Sequence, residues 1–198
     1  MNFKIHRGTH EIGGSCVEVW TANTRILLDF GMPLVNREGS EFDFSKFKNL
    51  ITPELIEHGV LPDIKGLYND NDKLIDGVII SHAHQDHYGL LNYIHKAVKH
   101  YLGEATHKII ELNNLFTPQE IHIENVVYFE KEKTFQIGDI LITPYWADHS
   151  AFDAYSFLVE ADGKSLFYSG DFRSHGRKAN AFKWFIHNAP QQVDYLLL

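Results

Sequence analysis

Residues 82–87 read His82-Ala83-His84-Gln85-Asp86-His87, four metal-capable side chains in six positions, directly after the apolar run Gly77-Val78-Ile79-Ile80-Ser81. A single tetrahedral ion is satisfied by about four ligands, three or four of them from protein. This loop nearly supplies that set alone, so its spacing points to two adjacent ions. Asp148-His149 and Ser169-Gly170-Asp171 are the further candidates, each placed after an apolar strand-like run. Two ions that share a water make hydroxide available near neutral pH, so the economical chemistry is hydrolysis. The competing reading of the loop is a solvated polar turn, and that of Asp171 a turn-forming residue after Gly170.

Such ligands must be carried by rigid elements. Phe3 to His6, Ser15 to Trp20 and Arg25 to Asp29 read as strands, the first two separated by a Gly13-Gly14 turn. Ile75 to Ser81 is a buried strand leading into the histidine cluster. After it, Leu90, Leu91, Ile94, Ala97, Val98 and Tyr101 recur at helical spacing and predict an amphipathic helix that serves core packing alone. Thr52-Pro53-Glu54-Leu55 predicts a helix start with Thr52 as cap, inside a segment, 33–73, that reads as a surface excursion over the site. The second half is strand-rich: Val126 to Phe129, Lys133 to Ile137, Ile140 to Trp146, Ala154 to Glu160 and Ser165 to Ser169, with hairpin turns at Gly138-Asp139 and Asp162-Gly163. A short helix over Phe182 to His187 and an apolar strand, Val193 to Leu198, complete the series. Two packed sheets with helices outside are expected, with ligands on loops at strand ends.

Composition bounds the function. The chain has 198 residues and a formal charge of −8, which argues against a generally basic nucleic-acid-binding surface. It leaves phosphate substrates open, because bound divalent ions would supply positive charge locally. No apolar run approaches the roughly 20 residues that span a bilayer, and the start lacks a secretory core, so a cytoplasmic location and no membrane partner are expected. Cys16 is the one cysteine, expected as a buried small hydrophobe. Of the thirteen histidines, His6, His10, His58, His95, His100, His107, His122 and His187 show no ligand spacing and are expected at the surface or partly buried. Arg173-Ser174-His175-Gly176-Arg177-Lys178 places three cations after Asp171, either to guide a phosphate backbone or as a solvated basic loop.

Together the motifs resemble the metallo-β-lactamase superfamily: Leu28-Asp29-Phe30-Gly31, the 82–87 loop, Ala147-Asp148-His149-Ser150 and Ser169-Gly170-Asp171-Phe172-Arg173. Asp-His-Ser followed by Gly-Asp-Phe-Arg looks most like the β-CASP branch of nucleases, and within it the ribonuclease J group. The resemblance implies an α+β fold, the αβ/βα sandwich, incomplete at its C-terminus. Residues 1–198 would be its N-terminal portion, with the β-CASP insertion and a last histidine ligand beyond. It implies two zinc ions, with manganese as the alternative. His82, His84 and His149 would hold the first, Asp86 and His87 the second, and Asp171 would bridge both. Asp86 and Asp171 would be the catalytic carboxylates, and Asp29 would orient the loop without touching metal. Ser150 and Arg173 are the candidates for substrate contact.

The implied activity is a metal-dependent phosphodiester hydrolase acting on RNA. The alternative is a thioesterase or lactonase on the same scaffold, and a third reading is a non-catalytic, metal-stabilised module. Oligomeric state is left open by the sequence.

Overall fold

Short hydrophobic strands alternate with loops and few helices, and the chain resolves this pattern into two sheets. The computed structural model describes residues 1–9, 12–36, 38–69, 71–117, 120–175 and 179–198. In the first sheet β1 (Asn2–Arg7), β2 (Cys16–Trp20), β3 (Arg25–Leu28), β4 (Gly77–Ile79), β5 (His100–Leu102) and β6 (Val126–Tyr128) lie side by side in chain order. β1 to β3 are antiparallel, and β3 to β6 are parallel. The second sheet comprises β7 (Phe135–Ile137), β8 (Ile140–Trp146), β9 (Tyr155–Ala161), β10 (Lys164–Tyr168) and β11 (Tyr195–Leu197), antiparallel except for the parallel β10–β11 pair. The two predicted hairpins, at Gly138-Asp139 and Asp162-Gly163, join β7 to β8 and β9 to β10.

The alternation of side chains along each strand sorts the core into layers. Val17, Val19, Ile26, Leu28 and Ile79 face Ile140, Ile142, Phe157, Val159 and Leu166 between the sheets. On the other side of the first sheet, Leu27, Val78, Ile80 and Leu102 pack against Leu55, Leu61, Leu67 and Ile110. Those partners come from α1 (Thr52–Glu57), the segment after it and α3 (Glu104–Asn113). α4 (Ala179–Asn188) covers the outside of the second sheet through Phe185 on Phe167. This is the expected αβ/βα sandwich.

Three expectations need correction. The periodic stripe from Leu90 to Tyr101 is not a helix. Leu91–Tyr93 form a single 3-10 turn and His100–Leu102 form β5. Leu90, Leu91, Ile94, Val98 and Tyr101 are all buried, so the pattern recorded burial and not winding. Parallel pairing decides the matter: Ile80 N donates to Tyr101 O at 2.9 Å, which a helix would forbid. The helix of this region is α3, further along. Second, segment 33–73 is no mere surface excursion, since Leu55, Val60, Leu61, Ile64 and Leu67 belong to the core. Its helix starts one residue earlier than expected at the cap: Ile51 is the cap, and its N–H donates to the Glu54 side chain at 2.9 Å. Third, His100 is buried in β5, where the sheet register leaves no other place for its side chain. Cys16 is buried as expected, and burial pushes its thiol far above the ordinary range. His10 and Gly176–Lys178, including two of the three cations after Asp171, lie outside the described residues.

Candidate metal centre

The site is built where the parallel strands β3 and β4 end side by side. Asp29 N donates to Ile79 O at 2.8 Å, extending the register, and Asp29 itself turns with φ 58°. Its buried carboxylate then becomes a hub. Oδ1 accepts from Ser81 N at 2.7 Å, while Oδ2 accepts from Ser81 Oγ, His87 Nδ1 and Tyr168 Oη, each at 2.7 Å. Tyr168 arrives from β10 in the opposite sheet, so one carboxylate ties both sheets to the histidine loop.

The loop is also fixed through its backbone. His84 precedes the single helical turn α2 (Gln85–Tyr88). The carbonyls of Gln85, Asp86 and His87 accept from Met32 N, Ser15 N and Phe30 N at 3.0, 3.0 and 2.9 Å. This contact is so close that a Cβ on Gly31 would lie 1.6 Å from Asp86 O. Only glycine lets the two segments meet there.

From the second sheet come the other two ligand candidates. His149 follows β8, on a loop held by Ala147 N to Ala154 O at 2.9 Å and by Tyr155 N to Ser81 O at 3.0 Å. Asp171 follows β10, and the loops are clasped together: Arg173 N donates to Asp148 O at 2.7 Å, and Arg173 Nε to Asp148 Oδ1 at 3.3 Å. Asp148 is buried, so this cation offsets a charge that would otherwise be stranded.

Six predicted residues therefore converge. His82, His84, His149 and Asp171 place ligand atoms within 4.8 Å of one another, and Asp86, His87 and Asp171 form a second such group. Asp171 belongs to both. His82 Nε2 and His149 Nε2 stand 3.1 and 3.0 Å from His84 Nδ1, and His87 Nε2 stands 3.5 Å from Asp171 Oδ1. A proton on His84 Nδ1 could bridge these imidazole nitrogens, and a shared cation would satisfy their lone pairs instead.

The surroundings select the ligand-ready nitrogens. Ser81 Oγ lies 3.0 Å from His82 Nδ1 and, having donated to Asp29, accepts that N–H, which leaves Nε2 to the site. Asp29 holds the His87 Nδ1 proton in the same way and frees its Nε2. Burial and the neighbouring imidazoles His87, His149 and His84 push His82 down to about 2, keeping it neutral. Burial likewise lowers His149. Burial also opposes charge on His87, but Asp29 and Asp171 outweigh it and carry the ring up to about 10. Asp171 falls to about 2, chiefly through its contact with His87. The centre thus gathers neutral imidazoles and carboxylates around one protonated ring, His87, which would give up its Nε2 proton to serve as a ligand, and the residues present fit one or two divalent ions.

Asp29 belongs to neither donor group but binds one member, His87, through its ring Nδ1. Ser150 is exposed, with Oγ 3.4 Å from His84 Nε2, and Arg173 is engaged with Asp148. Sequence reasoning missed Ser81 and Tyr168 as hub partners. No local spacing links Tyr168 to Asp29, since the contact spans 139 positions.

Comparison with known proteins gives the family and the fold. Residues 64–189 match the family described as β-lactamase superfamily domain, and the chain belongs to that family. An RNase J-like protein of Methanocaldococcus jannaschii is 30% identical over 181 residues, covering 85% of this chain and 35% of that protein. The chain thus spans about a third of the length of this relative. A protein of unknown function from Enterococcus faecalis superposes with a TM-score of 0.78 at 26% identity, over 99% of this chain and 49% of that one. A metallo-β-lactamase with a HARLDQ motif from Cronobacter sakazakii shares the fold, with a TM-score of 0.62 at 16% identity over 93% of this chain and 66% of that one.

Proposed function

We propose that this chain carries the metal-binding half of a phosphodiester hydrolase of the β-CASP type that cleaves RNA in the cytoplasm. The observation that carries the reading is Asp171, whose carboxylate belongs to both donor groups. Two zinc ions, or manganese in their place, would be held by His82, His84 and His149 on one side and Asp86 and His87 on the other, with Asp171 between. Such ions supply Lewis acidity to a phosphoryl oxygen and lower the pKa of water. The chain's own residues do the rest. Asp29, Ser81 and Tyr168 hold the His82 and His87 rings in register. Asp86 orients the attacking water and Asp171 balances the charge between the two groups. Ser150, exposed at the mouth, is placed to donate to a phosphate oxygen, whereas Arg173 acts first by clasping the His149 and Asp171 loops. The similarity to an RNase J-like protein supports RNA as the substrate class.

The test is metal analysis followed by assay. Purified protein is expected to carry at least one zinc or manganese ion per chain, and His84→Ala to lose most of it while His100→Ala keeps it. The full-length protein is expected to cleave single-stranded RNA in a metal-dependent manner. Thioester turnover without RNA cleavage would instead assign it to the acyl hydrolases.

A further inference from the structure

Apart from the metal centre, a second feature has the chemistry of a ligand site. A cavity of about 270 Å³ is lined by Lys131, by Trp146 at the end of β8, and by Asn180, Ala181 and Trp184 on α4. Asn180, Ala181 and Trp184 share one face of α4, while Phe182 and Phe185 on another face anchor the helix against Phe172, at centroid distances of 6.4 and 5.7 Å. Phe172 directly follows Asp171. The slot is therefore fixed to the Asp171 loop on one side. On the other, Trp146 precedes His149 by three residues, a span of at most about 11 Å.

Trp146 packs in part against the core between the sheets and Ala181 is buried, whereas Trp184 is half-buried and Asn180 exposed. Among the described residues neither indole makes a ring contact with another aromatic side chain, and neither the indole N–H groups nor the Asn180 amide has a hydrogen-bond partner. Lys131 Nζ stands 5.3 Å from the Trp146 ring centroid and pairs with Glu132 at 3.7 Å. Flat apolar walls, an edge amide that both donates and accepts, and one cation at the rim match a single nucleobase with its attached phosphate. The larger pocket beside Arg7 carries Glu38, Glu57 and Asp63, and those carboxylates would repel a phosphate chain.

We propose that this slot is a nucleobase-binding subsite, stacking one base of a single-stranded RNA beside the metal centre. The inference rests on the nuclease reading for its ligand class but not for its test. Stacking on the Trp184 indole supplies most of the affinity, since Lys131 is paired with Glu132 and already lies over the Trp146 ring. Binding at the slot is accordingly less salt-dependent than phosphate contacts would make it.

The experiment titrates the full-length protein with a short oligoadenylate, read by tryptophan fluorescence quenching and by competition with a labelled oligonucleotide. Base–aromatic stacking contributes about 1–3 kcal/mol per base, so Trp184→Ala is expected to weaken binding about 5- to 150-fold. Trp184→Phe should retain most of the affinity, and Trp20→Phe all of it. In cleavage assays Trp184→Ala should raise KM with kcat little changed. Unchanged affinity in both Trp184→Ala and Trp146→Ala, or no oligoadenylate binding by the parent protein, overturns the subsite. Trp184-dependent binding with no cleavage would uphold the subsite and reject the nuclease. Cleavage with an unchanged KM would do the reverse.

Discussion

Asp29 and His87 lie 58 positions apart in sequence and meet at 2.7 Å, carboxylate Oδ2 to ring Nδ1, with both side chains buried. The contact determines which nitrogen His87 can offer. It also ties the candidate metal centre to a residue outside both donor groups, through a carboxylate that binds Ser81 and Tyr168 as well.

Asp29→Asn tests that dependence with little backbone cost, because asparagine tolerates the left-handed φ that Asp29 adopts. The new amide turns an N–H toward groups that donate. At least one buried donor among Ser81, His87 and Tyr168 is left unsatisfied, at about 1–3 kcal/mol. Zinc affinity is expected to fall about 10- to 100-fold, the range seen when a ligand loses its supporting partner. Competition titration with a chelator reads the first effect's consequence for metal, and denaturant unfolding reads stability.

Gly31→Ala separates the two donor groups. Its methyl would meet Asp86 O at 1.6 Å, so the α2 turn has to move and takes Asp86 and His87 with it. Metal held by Asp86, His87 and Asp171 should be lost first, leaving the His82, His84 and His149 group nearer its original affinity. Stepwise zinc titration is expected to show one strong event instead of two. Equal loss at both would show that the loop moves as a single body.

The sequence exposed the donors because they are concentrated and chemically distinctive. His82, His84, Asp86 and His87 occupy one loop, and His149 and Asp171 each follow an apolar strand. Strand alternation and hairpin turns were equally visible, since they are local. What escaped was set by tertiary pairing. Leu90 to Tyr101 has helical spacing, yet β4 recruits Tyr101 as a strand residue. Ser81 and Tyr168 are ordinary residues until the two sheets close over Asp29. Arg173 shows the same limit, since only the folded loops reveal its partner Asp148.

His100 makes stability sensitive to acid. Its Nδ1–H donates to Glu124 O at 3.0 Å, while Nε2 is buried without a partner among the described residues. Burial lowers its pKa below the ordinary value. The folded chain therefore keeps the ring neutral at pH values where the unfolded chain has already bound a proton. Its contribution is fully present above about pH 6.5 and is lost progressively as pH falls below that value toward the folded pKa. His100→Phe should show a shallower loss of unfolding free energy from about pH 7 to about pH 5. Denaturant melts of parent and variant across that range measure the difference, and parallel slopes would contradict the assignment.

Asp153 links α3 to the loop that carries His149. It adopts φ 64°, and Oδ2 accepts from Thr106 N at 3.0 Å in the first turn of α3, while Oδ1 accepts from Tyr155 Oη at 2.7 Å. Thr106 Oγ1 returns a bond to Asp153 O at 2.9 Å. Gly103 makes the approach possible, because a Cβ there would lie 2.1 Å from the same carboxylate. Removing the cap costs about 1 kcal/mol, or about 2–4 °C in Tm for a chain of this size. Asp153→Ala should therefore lower Tm by that amount or somewhat more, since the Tyr155 hydroxyl also loses its acceptor. Because the His149 loop is released together with the helix, zinc held by His82, His84 and His149 should weaken as well. Gly103→Ala, which changes no polar group but displaces the carboxylate, should reproduce both effects. A fall in Tm with zinc affinity unchanged would make Asp153 a helix cap and nothing more.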